Sequence, residues 1–165
     1  MGTRADFYVG KDEKAEWIGS VAWDGYREGI QLTSKERDRF GIRKCSEFPK
    51  GKHLFEATTE KQFRDRVAEY FANRDDVTLP QDGWPWPWDD SGTSDCSYWF
   101  FDKQVWDANR TNGADVYTPC TKPLPEDDDE REAYLSKFLA IRYPNMKSVQ
   151  KVAMGKRSGV TVVSG

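Results

Sequence analysis

Histidine is almost missing from this chain: His53 is the only one in 165 residues. The three cysteines, Cys45, Cys96 and Cys120, are scattered and form no CxxC. A zinc centre draws on several nitrogen and sulfur ligands at short spacings, so no metal site is expected. The acidic group Asp89, Asp90 and Asp95 lacks the ligand order and closing Glu of an EF-hand loop, and reads as a solvated turn. An odd set of scattered cysteines points to free thiols in a reducing cytoplasm. A cysteine nucleophile needs a base. His53 with Cys96, oriented by Asp95 or Asp102, is one such pairing, but nothing in the spacing demands it, and buried thiols are ordinarily inert.

Other signatures are also missing. The glycines form neither GxGxxG nor GxxxxGK[ST], so no nucleotide cofactor is expected. Gly155-Lys156-Arg157-Ser158-Gly159 precedes an apolar run instead of opening a helix, and reads as a basic turn. No apolar run approaches the ~18–20 residues that span a bilayer. The opening MGTRADFYVG has no secretory-type apolar stretch, and Asp6 stands where a myristoylation pattern wants Ser or Thr. A cytoplasmic protein with no membrane role is the expectation. With a net charge of −3, the chain is no general polycation, although a local basic site remains compatible with it.

What the chain does have is aromatic bulk. Aromatic residues make up 14% of it, which offsets a charged fraction of 32% that alone would suggest disorder. Three of the seven tryptophans fall within Trp84-Pro85-Trp86-Pro87-Trp88. Burying them fully would be worth on the order of 10 kcal/mol, at about 25 cal/mol per Å² and about 150–250 Å² each. The prolines exclude an interior helix or a central strand and push Trp84 and Trp86 towards extended conformations. The segment therefore reads as an extended lid over a sheet face, with at least two indoles buried. The alternative is a contact surface made by Trp84, Trp86 and Trp88 with Asp89 and Asp90.

Periodicity and turn residues predict the remaining elements. Ala5–Val9 reads as a first strand. Glu16–Trp23 reads as a second, with Trp17, Gly19, Val21 and Trp23 on one face and a bulge or close approach at Gly19. Asp24-Gly25 is a turn, followed by a return strand or a loop over YREGIQL. A short helix spans Thr33–Phe40, stopped by Gly41. The clearest helix starts at Thr58 or Thr59, and the spacing of Thr59 to Gln62 fits a capping box. Phe63, Val67, Tyr70 and Phe71 give it one apolar stripe. Ser97–Phe101 reads as a buried strand and Asp115–Thr118 as a short one. The acidic block Glu126–Glu132 leads into a helix over Glu130–Arg142, with Tyr134, Phe138 and Ile141 on one side and Leu135 and Leu139 beside them. Gly159–Val163 reads as a closing strand. These elements predict one α+β domain over residues 1–165, with a mainly antiparallel sheet and two principal helices.

Three stretches, TRADFYVG…AEWIGSVAWDGY, LPQDGWPWPWDDS and YPNMKSVQKVAMGKRSGV, together resemble a group of small proteins of bacterial phages and prophages. The resemblance covers both ends and the centre of the chain and brings no activity or catalytic residue with it. It implies a cytoplasmic protein that meets host machinery. Combined with an aromatic, acidic composition, this gives as leading expectation a non-enzymatic protein that binds a host protein, in the manner of an inhibitor of host defence. Two alternatives remain open. One is a single-stranded nucleic-acid binder using Lys147, Lys151, Lys156 and Arg157. The other is a small enzyme with an unrecognised site. The oligomeric state is left open.

Overall fold

The computed structural model describes residues 3–41, 47–48, 51–89, 91, 94–108, 117–120, 124–125 and 127–142, with backbone alone for 138–142. The fold is α+β, built on a six-stranded, mainly antiparallel sheet. Its strands are β1 (Ala5–Val9), β2 (Glu16–Val21), β3 (Val77–Thr78), β4 (Cys96–Phe101), β5 (Gln104–Ala108) and β6 (Tyr117–Pro119), in the order β3-β2-β1-β4-β5-β6. Each half is an antiparallel meander, and the halves meet through the one parallel pair, β1 with β4. The helices are α1 (Arg27–Ile30), α2 (Ser34–Phe40), α3 (Glu60–Phe71) and α4 (Asp128–Arg142). The predicted closing strand over Gly159–Val163 lies outside the described residues.

The chain forms two compact units, residues 1–34 with 43–123 and residues 35–42 with 124–165. The first contains the sheet and α3. Phe63, Val67, Tyr70 and Phe71 of α3 are all buried, as their spacing requires. They meet Phe7, Tyr98 and Phe100, which alternate onto the same side of β1 and β4. Phe7 packs edge-on to Phe71 at 5.4 Å and lies 5.4 Å from Tyr98, while Phe63 stacks on Phe100 at 5.5 Å. Thr59 caps α3 by accepting from the Gln62 N–H at 3.1 Å. The Gln62 carboxamide returns the contact one residue earlier than a standard capping box, to the Thr58 N–H at 2.9 Å.

The second strand departs from simple alternation. Register slips opposite Phe7/Tyr8, so that Gly19 faces Phe7 while Trp17 faces Tyr8. Trp17 therefore shares a face with Ser20, not with Gly19 and Val21 as strict alternation predicts. Gly19 sits at φ 148°, and a Cβ there would fall 2.4 Å from the Phe71 ring. The bulge forms because α3 seats its last aromatic ring directly on the strand backbone. YREGIQL contributes α1 where a return strand or a loop was expected.

A buried ion pair ties the end of β2 to the turn after α3. The Arg74 and Asp76 side chains are 0% and 3% exposed and 2.7 Å apart. Arg74 also donates to the Trp23 carbonyl at 2.7 Å, and Asp76 accepts from the Trp23 N–H at 2.9 Å. A buried pair is stable only when its remaining valences are satisfied, and here backbone groups of Trp23 and Ala22 satisfy them.

In the second unit, Arg131 on α4 makes a two-pronged contact with Glu36 on α2, at 2.6 and 2.8 Å. Arg39 pairs with Glu132. Leu135 is buried, whereas Tyr134 is 42% exposed. Tyr134 thus departs from the predicted apolar stripe, whose members Phe138, Leu139 and Ile141 have side chains outside the described residues. The acidic block places Asp128, Asp129 and Glu130 in the first turn of α4, where negative charge is favoured.

Gly19→Ala is expected to lower unfolding free energy by about 1–3 kcal/mol, since overpacking and a disfavoured backbone act together. Chemical denaturation checks this, and a variant as stable as the parent would show that the Phe71 ring yields without cost.

Candidate functional site: the tryptophan face of the sheet

The side of the sheet opposite α3 is organised around one carboxylate. Asp6 lies between the core residues Ala5 and Phe7, so alternation turns its side chain to the other face, where it is 0% exposed. Four donors converge on it. The Ser20 hydroxyl and the Trp86 indole N–H reach Oδ1 at 2.5 and 2.7 Å. The Ser91 and Ser94 hydroxyls reach Oδ2 at 2.7 and 2.6 Å. An ionised carboxylate offers about four acceptor positions, and each is filled.

Each serine is itself held. Trp17 donates its indole N–H to Ser20 at 2.9 Å, Trp88 to Ser94 at 3.2 Å, and the Tyr8 hydroxyl lies 2.5 Å from Ser91 Oγ. Because Ser91 gives its own proton to Asp6, Tyr8 is the donor in that last contact. Three two-step relays and one direct indole thus end on the same carboxylate, and aligned relays of this kind reinforce one another.

This network fixes the tryptophan segment. The chain curls so that the Trp84 N–H donates to the Trp88 carbonyl at 2.6 Å. Trp84 packs edge-on to Trp17 at 5.0 Å, and Trp86 stacks on Trp88 at 5.7 Å. The Arg4 guanidinium lies over Trp86 and Trp88, at 5.8 and 5.2 Å from the ring centres, and pairs with Asp95 at 3.3 Å. The segment therefore covers β1 and β2 as a lid, but none of its three indoles is fully buried: all are half-buried. The expectation that at least two would be buried is corrected on this point. The indoles lie on the sheet with their N–H groups inward and part of each ring in solvent.

The same face continues over β4, β5 and β6 as a ladder of rings. Tyr8 stacks on Trp99 at 3.9 Å, Trp99 meets Tyr117 edge-on at 5.5 Å, Tyr117 meets Phe101 at 5.0 Å, and Phe101 stacks on Trp106 at 4.8 Å. The Lys11 ammonium sits 5.4 Å from the Phe101 ring centre. Trp99 donates to the Ser97 hydroxyl at 2.8 Å and Trp106 to the Phe101 carbonyl at 3.0 Å. Six of the seven tryptophans thus share this face, all half-buried, and every one of their N–H groups has an acceptor within the protein.

Of the residues expected to form a contact surface, the structure brings Trp84, Trp86 and Trp88 together and leaves Asp89 exposed beside them. Asp90 lies outside the described residues, as do Lys147, Lys151, Lys156 and Arg157. Asp6, Ser20, Ser91 and Ser94 were missed. The available signal was an acidic residue in the middle of the apolar strand ADFYV, with a serine in the strand predicted beside it.

The groups considered for nucleophilic chemistry have other occupations. His53 Nδ1 accepts from the Phe55 N–H at 3.1 Å, and its ring lies against Phe48 and Phe55. Cys96 and Cys120 are buried thiols. Burial, with the Asp107 carboxyl next in effect, pushes Cys120 up to about 12, so it remains a thiol at neutral pH. Among the described residues, no three His, Cys, Asp or Glu side chains gather in a metal-binding group, and no helix is long and apolar enough to cross a membrane. Comparison with protein-family models, curated proteins and solved structures finds no match to this chain.

Asp6→Asn removes one acceptor oxygen and confronts the converging donors with an amide. We expect a loss of about 2–3 kcal/mol in unfolding free energy, the scale of a hydrogen bond to a charged group, together with increased acrylamide quenching of tryptophan emission. Unchanged quenching in a folded variant would show that the carboxylate does not hold the lid.

Proposed function

We propose that this chain is a non-enzymatic binding protein that uses the tryptophan face of its sheet to contact a protein partner. The observation that supports this reading is the state of the six indoles. Burying an indole is costly chiefly when its N–H loses a partner. Here every N–H on the face is already satisfied within the protein, and the rings are immobilised by stacking. A partner covering the face would gain aromatic area with little polar desolvation and little loss of side-chain freedom. Arg4, stacked over Trp86 and Trp88, adds a residue type that commonly anchors protein interfaces together with Trp and Tyr. That the partner is a host protein, and the outcome inhibition of a defence system, rests on the resemblance to phage proteins.

Binding is expected to depend on Trp84 and Trp106, which contribute rings to opposite ends of the face and do not touch Asp6. Trp84→Ala and Trp106→Ala, each checked for native circular dichroism, should weaken capture of a specific host protein by about 30-fold or more, as interface anchors do. Recovery of the same proteins in the same amounts by the parent and both variants would overturn the proposal. Salt-sensitive oligonucleotide binding, weakened by Lys151→Ala and Lys156→Ala, would instead favour nucleic acid.

A further inference from the structure

On the core side of the sheet, β5 carries a second carboxyl in a very different setting. Asp107 stands in register between Tyr98 of β4 and Thr118 of β6. As a residue it is half-buried, but its Oδ1 is closed off from solvent and has no hydrogen-bond partner among the described residues. The contrast with Asp6, whose two oxygens take four donors, is direct. An ionised carboxylate with an unsatisfied buried oxygen is costly, whereas a protonated one is far less so.

The surroundings of Asp107 give only partial compensation. From α1, Arg27 favours its ionised form and Glu28 opposes it, and both effects are smaller than that of burial. From β4, Tyr98 is held as a neutral phenol far above its ordinary range by burial, and its hydroxyl is committed to the Gly25 carbonyl at 2.8 Å. Cys96 and Cys120 are buried thiols. The 3-10 turn Leu54–Glu56 packs on β5 with buried Leu54 and Phe55. Its Glu56 accepts from the backbone N–H of His53, whose ring nitrogen Nδ1 is in turn taken up by Phe55.

We propose that Asp107 makes the β5–β6 edge of the sheet a pH-sensitive element, ordered when the carboxyl holds a proton and loosened when it is ionised. The edge is where relief is available. β6 has three residues and, among the described residues, pairs only with β5 in the sheet, so separating that pair admits water to Asp107 while β1, β2 and β4 keep their ladders. Burial raises the Asp107 carboxyl from 3.8 to about 6. Between those values the folded chain retains a proton that the unfolded chain has released, so the stabilising effect is present in acid and declines as pH rises through the window. A shift of about two units corresponds to roughly a hundredfold change in the opening equilibrium at most.

Hydrogen-exchange protection factors for 104–108 and 117–120, measured on the whole chain at pH 5 and pH 7.5, test this. Protection there should fall by roughly tenfold at the higher pH, the part of the window that lies above pH 5, while α3 amides change much less. Asp107→Asn should abolish the difference. Equal protection at both pH values, or the same pH dependence in Asp107→Asn, would overturn the proposal. If that variant does not fold, carboxyl-carbon NMR of the parent decides. An Asp107 midpoint near 6, shared by the Cys120 amide shift, supports the switch, and a midpoint in the ordinary aspartate range removes it.

Discussion

The Asp6 carboxylate is the constraint around which the described sheet is arranged. A charge with 0% exposure at the centre of a sheet would be prohibitive if left unpaired. Among the described residues no cation bonds to it directly; neutral donors stand in for its water, and they come from three separate stretches of chain. Ser20 arrives from β2, Trp86 from the proline-interrupted segment, and Ser91 and Ser94 from the turn before β4. The same contact therefore satisfies a buried charge, seats the lid and fixes the entry to β4. Arg4 supplies positive charge one step away, over the rings of Trp86 and Trp88, and bonds to Asp95.

The two faces of the sheet use aromatic residues in different ways. Against α3, rings are buried against one another and contribute by area. On the opposite face they stand partly in solvent and are ordered by their polar handles, with indole N–H groups committed to serines, carbonyls and Asp6. The bulge at Gly19 makes both arrangements compatible. It lets Phe71 close the first core and at the same time transfers Trp17 to the second face, where its N–H reaches Ser20.

Much of this architecture was legible from the sequence wherever a local pattern decides. The α3 stripe of Phe63, Val67, Tyr70 and Phe71, the Thr59 cap, the strand over Ala5–Val9 and the α2 stop at Gly41 follow from periodicity and cap chemistry. The bulge position was visible as a glycine between large residues, but its effect on Trp17 was not, because alternation presumes an unbroken register. The two-residue β4–β5 turn at Asp102-Lys103 has both residues at positive φ without the glycine that usually marks such a turn. Tyr134 misled because a period of 3.6 cannot say which of two adjacent apolar residues faces inward. The Asp6 network was out of reach for another reason: its donors are serines and indoles with no spacing rule, brought together only by the tertiary fold.

The parallel join between β1 and β4 bears on how the chain reaches this state. Ala5 pairs with Cys96 across 91 residues, and three of the donors to Asp6 lie 80–88 residues away. Contacts of such long sequence separation form slowly, since loop closure precedes any gain from pairing. Until the turn carrying Ser91 and Ser94 has been made, the central strand has a neighbour on one side only and its carboxylate keeps its water. The meander of β4, β5 and β6 is local and has no such delay. Folding of this sheet therefore ends at its middle, where β1 meets β4.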